Sequence, residues 1–179
     1  DTIYGRAGND IIDGGDGDAW GLVAHSYDLA SITNSGSVYA DAMGYFARAI
    51  GAEAYNYSAD GAAGITNSGL ISASAISSGY ATAIGATAES GNSWAGIVNL
   101  EGGVISAYAY GYYGAQAIGA AAYGEQFGAF IGYADSEVTA YASSFYDATA
   151  IGVAVATGYS HVENDGAINA IALADTEHG

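Results

Sequence analysis

One repeat of this chain reads ITNSGLISASA at residues 65–75 and closes with Ala-Ile-Gly at residues 83–85. The Ala-Ile-Gly element begins at Ala49, Ala83, Ala117 and Ala150, so successive copies lie 34, 34 and 33 residues apart. The turn keeps the same period, with ITNSG at residues 32–36 and VENDG at residues 162–166. A fixed period of this length is typical of stacked supersecondary units.

Apolar residues alternate with polar or variable ones after each turn. In the quoted repeat, Ile71, Ala73 and Ala75 share one face, and serines occupy the other. A period of two predicts a half-buried β-strand, and it outweighs the preference of alanine for helices. The same inner positions in other copies hold Val38, Ala40 and Ala42; Ile105, Ala107 and Ala109; Val138, Ala140 and Ala142; and Ile168, Ala170 and Ala172.

A second alternating segment surrounds each Ala-Ile-Gly, and its parity shifts there. A parity shift at a glycine indicates a bulge or a bend, and we expect the isoleucines to stack inside it. Each copy returns to the same phase, so copies must stack in parallel. The sequence predicts an all-β, parallel β-solenoid of about four to five coils, with 33–34 residues per repeat and a flattened, alanine-lined core. A β-sandwich or meander is the alternative, but it would not need the turns to stay in register.

The charge of the chain limits its partners. The formal net charge is −17 at pH 7, with 19 acidic residues against only Arg6 and Arg48. Such a chain repels phosphate backbones and anionic membrane surfaces, so we expect no nucleic-acid partner and no membrane insertion. Divalent cations are the natural partners. The absence of cysteine and the abundance of glycine are compatible with bacterial secretion.

The N-terminal segment differs from the rest and reads GRAGNDIIDGGDGD at residues 5–18. It resembles the calcium-binding nonapeptide of repeats-in-toxin proteins, Gly-Gly-x-Gly-x-Asp-x-hydrophobic-x. The resemblance divides the chain into calcium-binding turns at residues 1–18 and β-solenoid repeats at residues 19–179. It implies calcium, bound through carboxylates and glycine carbonyls, at Asp1, Gly5, Gly8, Asp10, Gly14, Gly15, Asp16, Gly17 and Asp18. Ala19 stands where the last copy needs an aspartate, and a solvated acidic cap is the alternative.

The turns at about residues 30–175 resemble the Ile-x-Asn-x-Gly repeats of autotransporter passenger domains and haemagglutinin-type adhesins. This resemblance implies a right-handed β-helix outside the cell. The recurring Asn34, Asn67, Asn99 and Asn164 would stack as an amide ladder, or less simply line a ligand groove. We therefore expect an extracellular structural or adhesive module, secreted or on the cell surface, stabilised by calcium and possessing no enzyme activity. Matrix or cell-surface polysaccharide is a further candidate partner.

Other functions fit the residues less well. A polysaccharide lyase needs basic residues, a hydrolase needs a defined pair of carboxylates, and an ice-binding solenoid needs a regular threonine array. His25, His161 and His178 are isolated in sequence and suggest no zinc site. Residues 168–174 still read as a strand with no polar cap. An uncapped coil end predicts head-to-tail self-association into a fibre or filament.

Overall fold

The computed structural model describes residues 10–91 and 93–175, and side chains from residue 17 onward. These residues form thirteen β-strands and no helix. The strands are β1 Asp10–Ser26, β2 Leu29–Asn34, β3 Ser37–Asn56, β4 Ala62–Asn67, β5 Leu70–Ser90, β6 Trp94–Asn99, β7 Val104–Gly111, β8 Gly114–Gly124, β9 Phe127–Gly132, β10 Glu137–Ser144, β11 Asp147–Ala156, β12 Tyr159–Asn164 and β13 Ala167–Ala174.

All strand pairs in the described residues are parallel, and each joins equivalent positions of successive repeats. One sheet has the order β1-β3-β5-β7-β10-β13, with β8 and β11 continuing the second half of β5. The other sheet has the order β12-β9-β6-β4-β2. Within the first sheet, Ala73 pairs with Ala107, and Ala107 pairs with Ala140. The chain is therefore a parallel β-solenoid of about five turns, which confirms the predicted fold class.

The core consists of two compartments. One is made only of alanines, which face each other across the two halves of each long strand and include Ala40, Ala73, Ala107 and Ala117. The other is wider and combines alanines with isoleucine, valine, leucine and Phe130. Because alanine adds a single methyl group, the first compartment can close only if its two walls lie very near each other. The alternation seen in the sequence thus produces the predicted flattened, alanine-lined core.

The bend at each Ala-Ile-Gly places glycine, not isoleucine, toward the interior. A Cβ atom added at Gly85 would lie 2.5 Å from the carbonyl oxygen of Gly119 and 2.6 Å from Cγ2 of Ile105. Neither distance is possible for a real side chain, so only glycine fits this position. Isoleucines of the motif, such as Ile84, belong to neither core compartment. The expectation that these isoleucines stack inside the bend is wrong, because the close approach of the walls there leaves no room for a side chain.

The turn asparagines form the predicted amide ladder over three coils. Asn34 Nδ2 donates to Asn67 Oδ1 at 2.8 Å, and Asn67 Nδ2 donates to Asn99 Oδ1 at 2.9 Å. All three side chains are buried. The next coil has Gly132 at this position, so Asn99 donates instead to main-chain oxygens and Asn164 is separated from the ladder. The ladder explains why Asn-x-Gly recurs at a fixed spacing.

Candidate functional site

The predicted calcium segment lies partly outside the described residues. Asp1, Gly5 and Gly8 fall there, whereas the main chain of residues 10–18 forms the first half of β1. This half pairs with β3, from Asp10 opposite Val38 to Asp18 opposite Arg48, with register shifts on either side of Asp16. Asp10, Gly14, Gly15, Asp16, Gly17 and Asp18 thus lie along one strand of the first coil.

A calcium site at this segment stays a prediction. Among the residues whose side chains are described, no group of three or more histidines, aspartates or glutamates is arranged to hold a metal ion. The nonapeptide resemblance and the acidic composition of residues 1–18 remain its support.

The last coil leaves the core side of its strands uncovered. Every residue of β13 is exposed, including Ile168, Ala170 and Ala172, although these continue columns that are buried in the coil below. Ala140, directly beneath Ala170, is fully buried. Five of the six residues of β12 are exposed as well. We call this surface, made of β12 and β13, the open coil end.

The two ends of the solenoid are not equivalent. In the first coil the core positions are already covered, with Ala30 and Ile32 buried. At the level of the main chain, however, β1 and β2 are the terminal strands of their sheets, as β13 and β12 are at the other end. Within the described residues, no strand pairs with the outer edges of these four strands. Both ends therefore present strand edges, and the C-terminal end also presents apolar side chains.

A row of aromatic rings covers the corner that joins the two halves of each long strand. Phe46, Tyr80, Tyr113 and Tyr146 form one column, with successive ring centroids 5.9 Å apart. Beside it, Tyr112 and Phe145 stack at 5.5 Å. Stacked rings present their edges to the solvent and cover one another's faces. The evenly weighed alternatives for the exposed tyrosines thus meet here, because these rings are both exposed and stacked.

A hydrogen-bonded cluster occupies another outer corner, between the first two coils. His25 Nε2 lies 2.7 Å from Glu53 Oε1, and His25 Nδ1 lies 3.0 Å from the hydroxyl of Tyr57. Trp20 Nε1 donates to Glu53 Oε2 at 3.0 Å. The rings of Tyr27 and Tyr57 lie beside this chain of contacts, 5.2 Å apart. We call His25, Glu53, Tyr57 and Tyr27 the histidine cluster.

Glu89 lies on the coil next to Glu53 and is the carboxyl group with a perturbed affinity for protons. Burial raises the pKa of Glu89, the negative charge of Glu53 raises it further, and Arg48 opposes both effects. Glu89 lines a groove of about 290 Å³ together with Tyr55, Tyr123 and other residues.

Sequence analysis missed the histidine cluster because its members are 28 to 32 residues apart. His25 looked isolated, yet the register of β1 on β3 places it opposite Tyr55, between Glu53 and Tyr57. Aligning the first coil to the second by the repeat period would have revealed this neighbourhood. The weak repeat in the first coil, where no Ala-Ile-Gly occurs, hid that alignment.

No protein-family model, no curated protein and no solved structure matches this chain. In the described part of the chain, no helix is long and apolar enough to cross a membrane. The function is therefore argued from the fold and its surfaces alone.

Proposed function

We propose that this chain is a structural module of an extracellular bacterial fibre or surface layer, in which copies stack head to tail. The observation that carries the proposal is the open coil end. A strand edge with an exposed apolar face is a template for another strand, and natural proteins normally cover it. Here Ile168, Ala170 and Ala172 stand ready to continue columns that are buried in every coil below.

The proposed occupant is the first coil of a second copy. Strands β13 and β12 would pair in parallel with β1 and β2 of that copy, at the spacing of about 4.8 Å that separates neighbouring strands. The halves of the contact are different surfaces, so the contact is heterologous and repeats without closing. Burial of partly exposed residues such as Ile168 would stabilise each junction by on the order of 1 kcal/mol per side chain.

Charge sets the conditions for this assembly. Each copy carries a formal net charge of −17, so copies repel one another at low ionic strength. Calcium bound in residues 1–18 would lower that repulsion at the first coil, where the junction forms. This requirement, together with the resemblance to repeats-in-toxin and autotransporter sequences, supports a calcium-rich setting outside the cell.

Sedimentation velocity of the purified chain, with calcium or with chelator, tests the proposal. We expect larger species with calcium, growing with protein concentration. Ala170→Lys places a charge on the open coil end and should prevent growth. Gln116→Lys makes the same change of charge at an exposed position in the middle of the solenoid and should leave growth intact.

The results separate the possible outcomes. A monomer at all concentrations with calcium refutes self-association. A closed dimer that Ala170→Lys abolishes would mean that two open coil ends meet each other, and it would refute head-to-tail stacking. Equal effects of both lysine variants would refute the role of the open coil end.

A further inference from the structure

The geometry points to a site of oxidative cross-linking at the histidine cluster, where we propose that Tyr27 and Tyr57 couple through their rings to form dityrosine. This proposal is independent of the assembly proposed above. It rests on the ring contact, on the exposure of both phenols and on a base positioned at one of them.

The two rings occupy equivalent positions on successive coils. Ser26 pairs with Asn56, and the amide of Tyr57 donates to the carbonyl oxygen of Ser26 at 2.9 Å. The following side chains, Tyr27 and Tyr57, therefore lie one above the other, with centroids 5.2 Å apart and planes tilted by 37°. Tyr27 is 76% exposed and Tyr57 is 50% exposed, so an oxidant in solution reaches both.

The hydrogen bonds of His25 prepare Tyr57 to lose its proton. The ionised carboxylate of Glu53 can only accept, so His25 Nε2 carries a hydrogen and donates it. In the neutral imidazole, Nδ1 is then an acceptor, and it receives the hydroxyl hydrogen of Tyr57. Trp20 Nε1 donates to the second oxygen of Glu53 and fixes the carboxylate in place. This arrangement lets His25 accept the phenolic proton while Glu53 stabilises the resulting imidazolium.

The reaction requires an external one-electron oxidant, of the class of a haem peroxidase working with hydrogen peroxide. Tyr57 gives one electron to the oxidant and its phenolic proton to Nδ1 of His25, which leaves a neutral phenoxyl radical. Tyr27 gives a second electron to the oxidant and its proton to water. A carbon–carbon bond then joins the two rings at positions ortho to the oxygens. The hydrogen on each of these carbons leaves as a proton while the phenol oxygen regains one. Two electrons and two protons leave in all, and they reduce one hydrogen peroxide to two waters.

The product would link the turn after β1 to the turn after β3. Such a bond would fasten the first coil to the second on their outer side. It would leave the core and the strand pairing unchanged, because both phenols already lie in contact outside the core.

The chain contains its own reference pair. Tyr108 and Tyr141 stack at 5.1 Å with planes only 2° apart, which is a closer contact than that of Tyr27 and Tyr57. Among the hydrogen bonds of the described residues, none joins either of these tyrosines to a histidine. Proximity alone therefore favours the reference pair, whereas proton acceptance by His25 favours Tyr27 and Tyr57.

The experiment treats the whole chain with a haem peroxidase and limiting hydrogen peroxide, then maps cross-linked peptides by mass spectrometry. We expect the Tyr27–Tyr57 product within single chains to form several-fold faster than the Tyr108–Tyr141 product. In His25→Gln the ratio of the two rates should fall to about one or below. Because both rates come from the same molecules, a general loss of folding would change them together and leave the ratio readable. Tyr27→Phe should abolish the first product and spare the second.

Three results would overturn the proposal. One is a Tyr27–Tyr57 product that is absent or forms no faster than the reference product. Another is a rate ratio that His25→Gln does not change. The third is coupling of Tyr57 to the neighbouring Tyr55 in place of Tyr27, since those rings are also in contact at 4.8 Å.

Discussion

Replacing Ala107 with leucine should strongly destabilise the solenoid, because Ala107 lies inside the compartment built only of alanine. Its side chain is 2% exposed, and Ala73 and Ala140 lie directly below and above it. Leucine adds three heavy atoms to this space. Every neighbour in the compartment ends at Cβ, so no side chain can rotate away and the main chain must move. Overpacking of this kind costs about 1–3 kcal/mol, and we expect the upper part of that range.

The matched control is the same substitution at Ala170, which continues the column of Ala107 and Ala140 into the last coil. Ala170 is exposed, so leucine there meets solvent and should change the free energy of unfolding by less than about 0.5 kcal/mol. Urea unfolding followed by circular dichroism measures both variants under conditions that keep the chain monomeric. If Ala107→Leu costs no more than Ala170→Leu, the closely packed alanine compartment does not exist as described.

Three further predictions concern polar groups. Asn67→Ala removes the middle of the amide ladder and should cost about 1–3 kcal/mol, whereas Asn164→Ala, outside the ladder, should cost less; equal costs would contradict the ladder. Glu89→Gln should raise the melting temperature at pH 7, because the raised pKa of Glu89 means that its ionised form opposes folding; this gain should shrink as the pH falls through that pKa, and a constant gain would contradict the assignment. Calcium should raise the melting temperature and chelator should reverse the effect if residues 1–18 bind it; calorimetry without calcium heat and an unchanged melting temperature would rule the site out.

The sequence was sufficient for the fold because the solenoid is built from local, repeated signals. Alternation at Ile71, Ala73 and Ala75 identified the buried face, and the fixed phase of Asn34, Asn67 and Asn99 required parallel stacking. The inner position of Gly85 could not be predicted in the same way. Its absent side chain is dictated by the close approach of Ile105 and Gly119, which becomes visible only when the walls are placed in space.

The candidate sites were less predictable than the fold. His25 gains its chemistry from Glu53 and Tyr57 on the next coil, and no local pattern around His25 indicates these partners. The uncapped character of residues 168–174 was legible, since no polar cap interrupts the alternation. The different burial of the two ends was not, because it depends on which residues cover each coil.

Electron cryomicroscopy of the chain assembled with calcium tests the central claim of head-to-tail stacking most directly. We predict unbranched filaments in which strands repeat every 4.8 Å or so along the axis and continue through each junction. The open coil end of one copy, with Ile168 and Ala170 buried, should contact the first coil of the next. Particles that remain single solenoids, or assemblies in which copies meet side by side with β13 still exposed, would contradict the account.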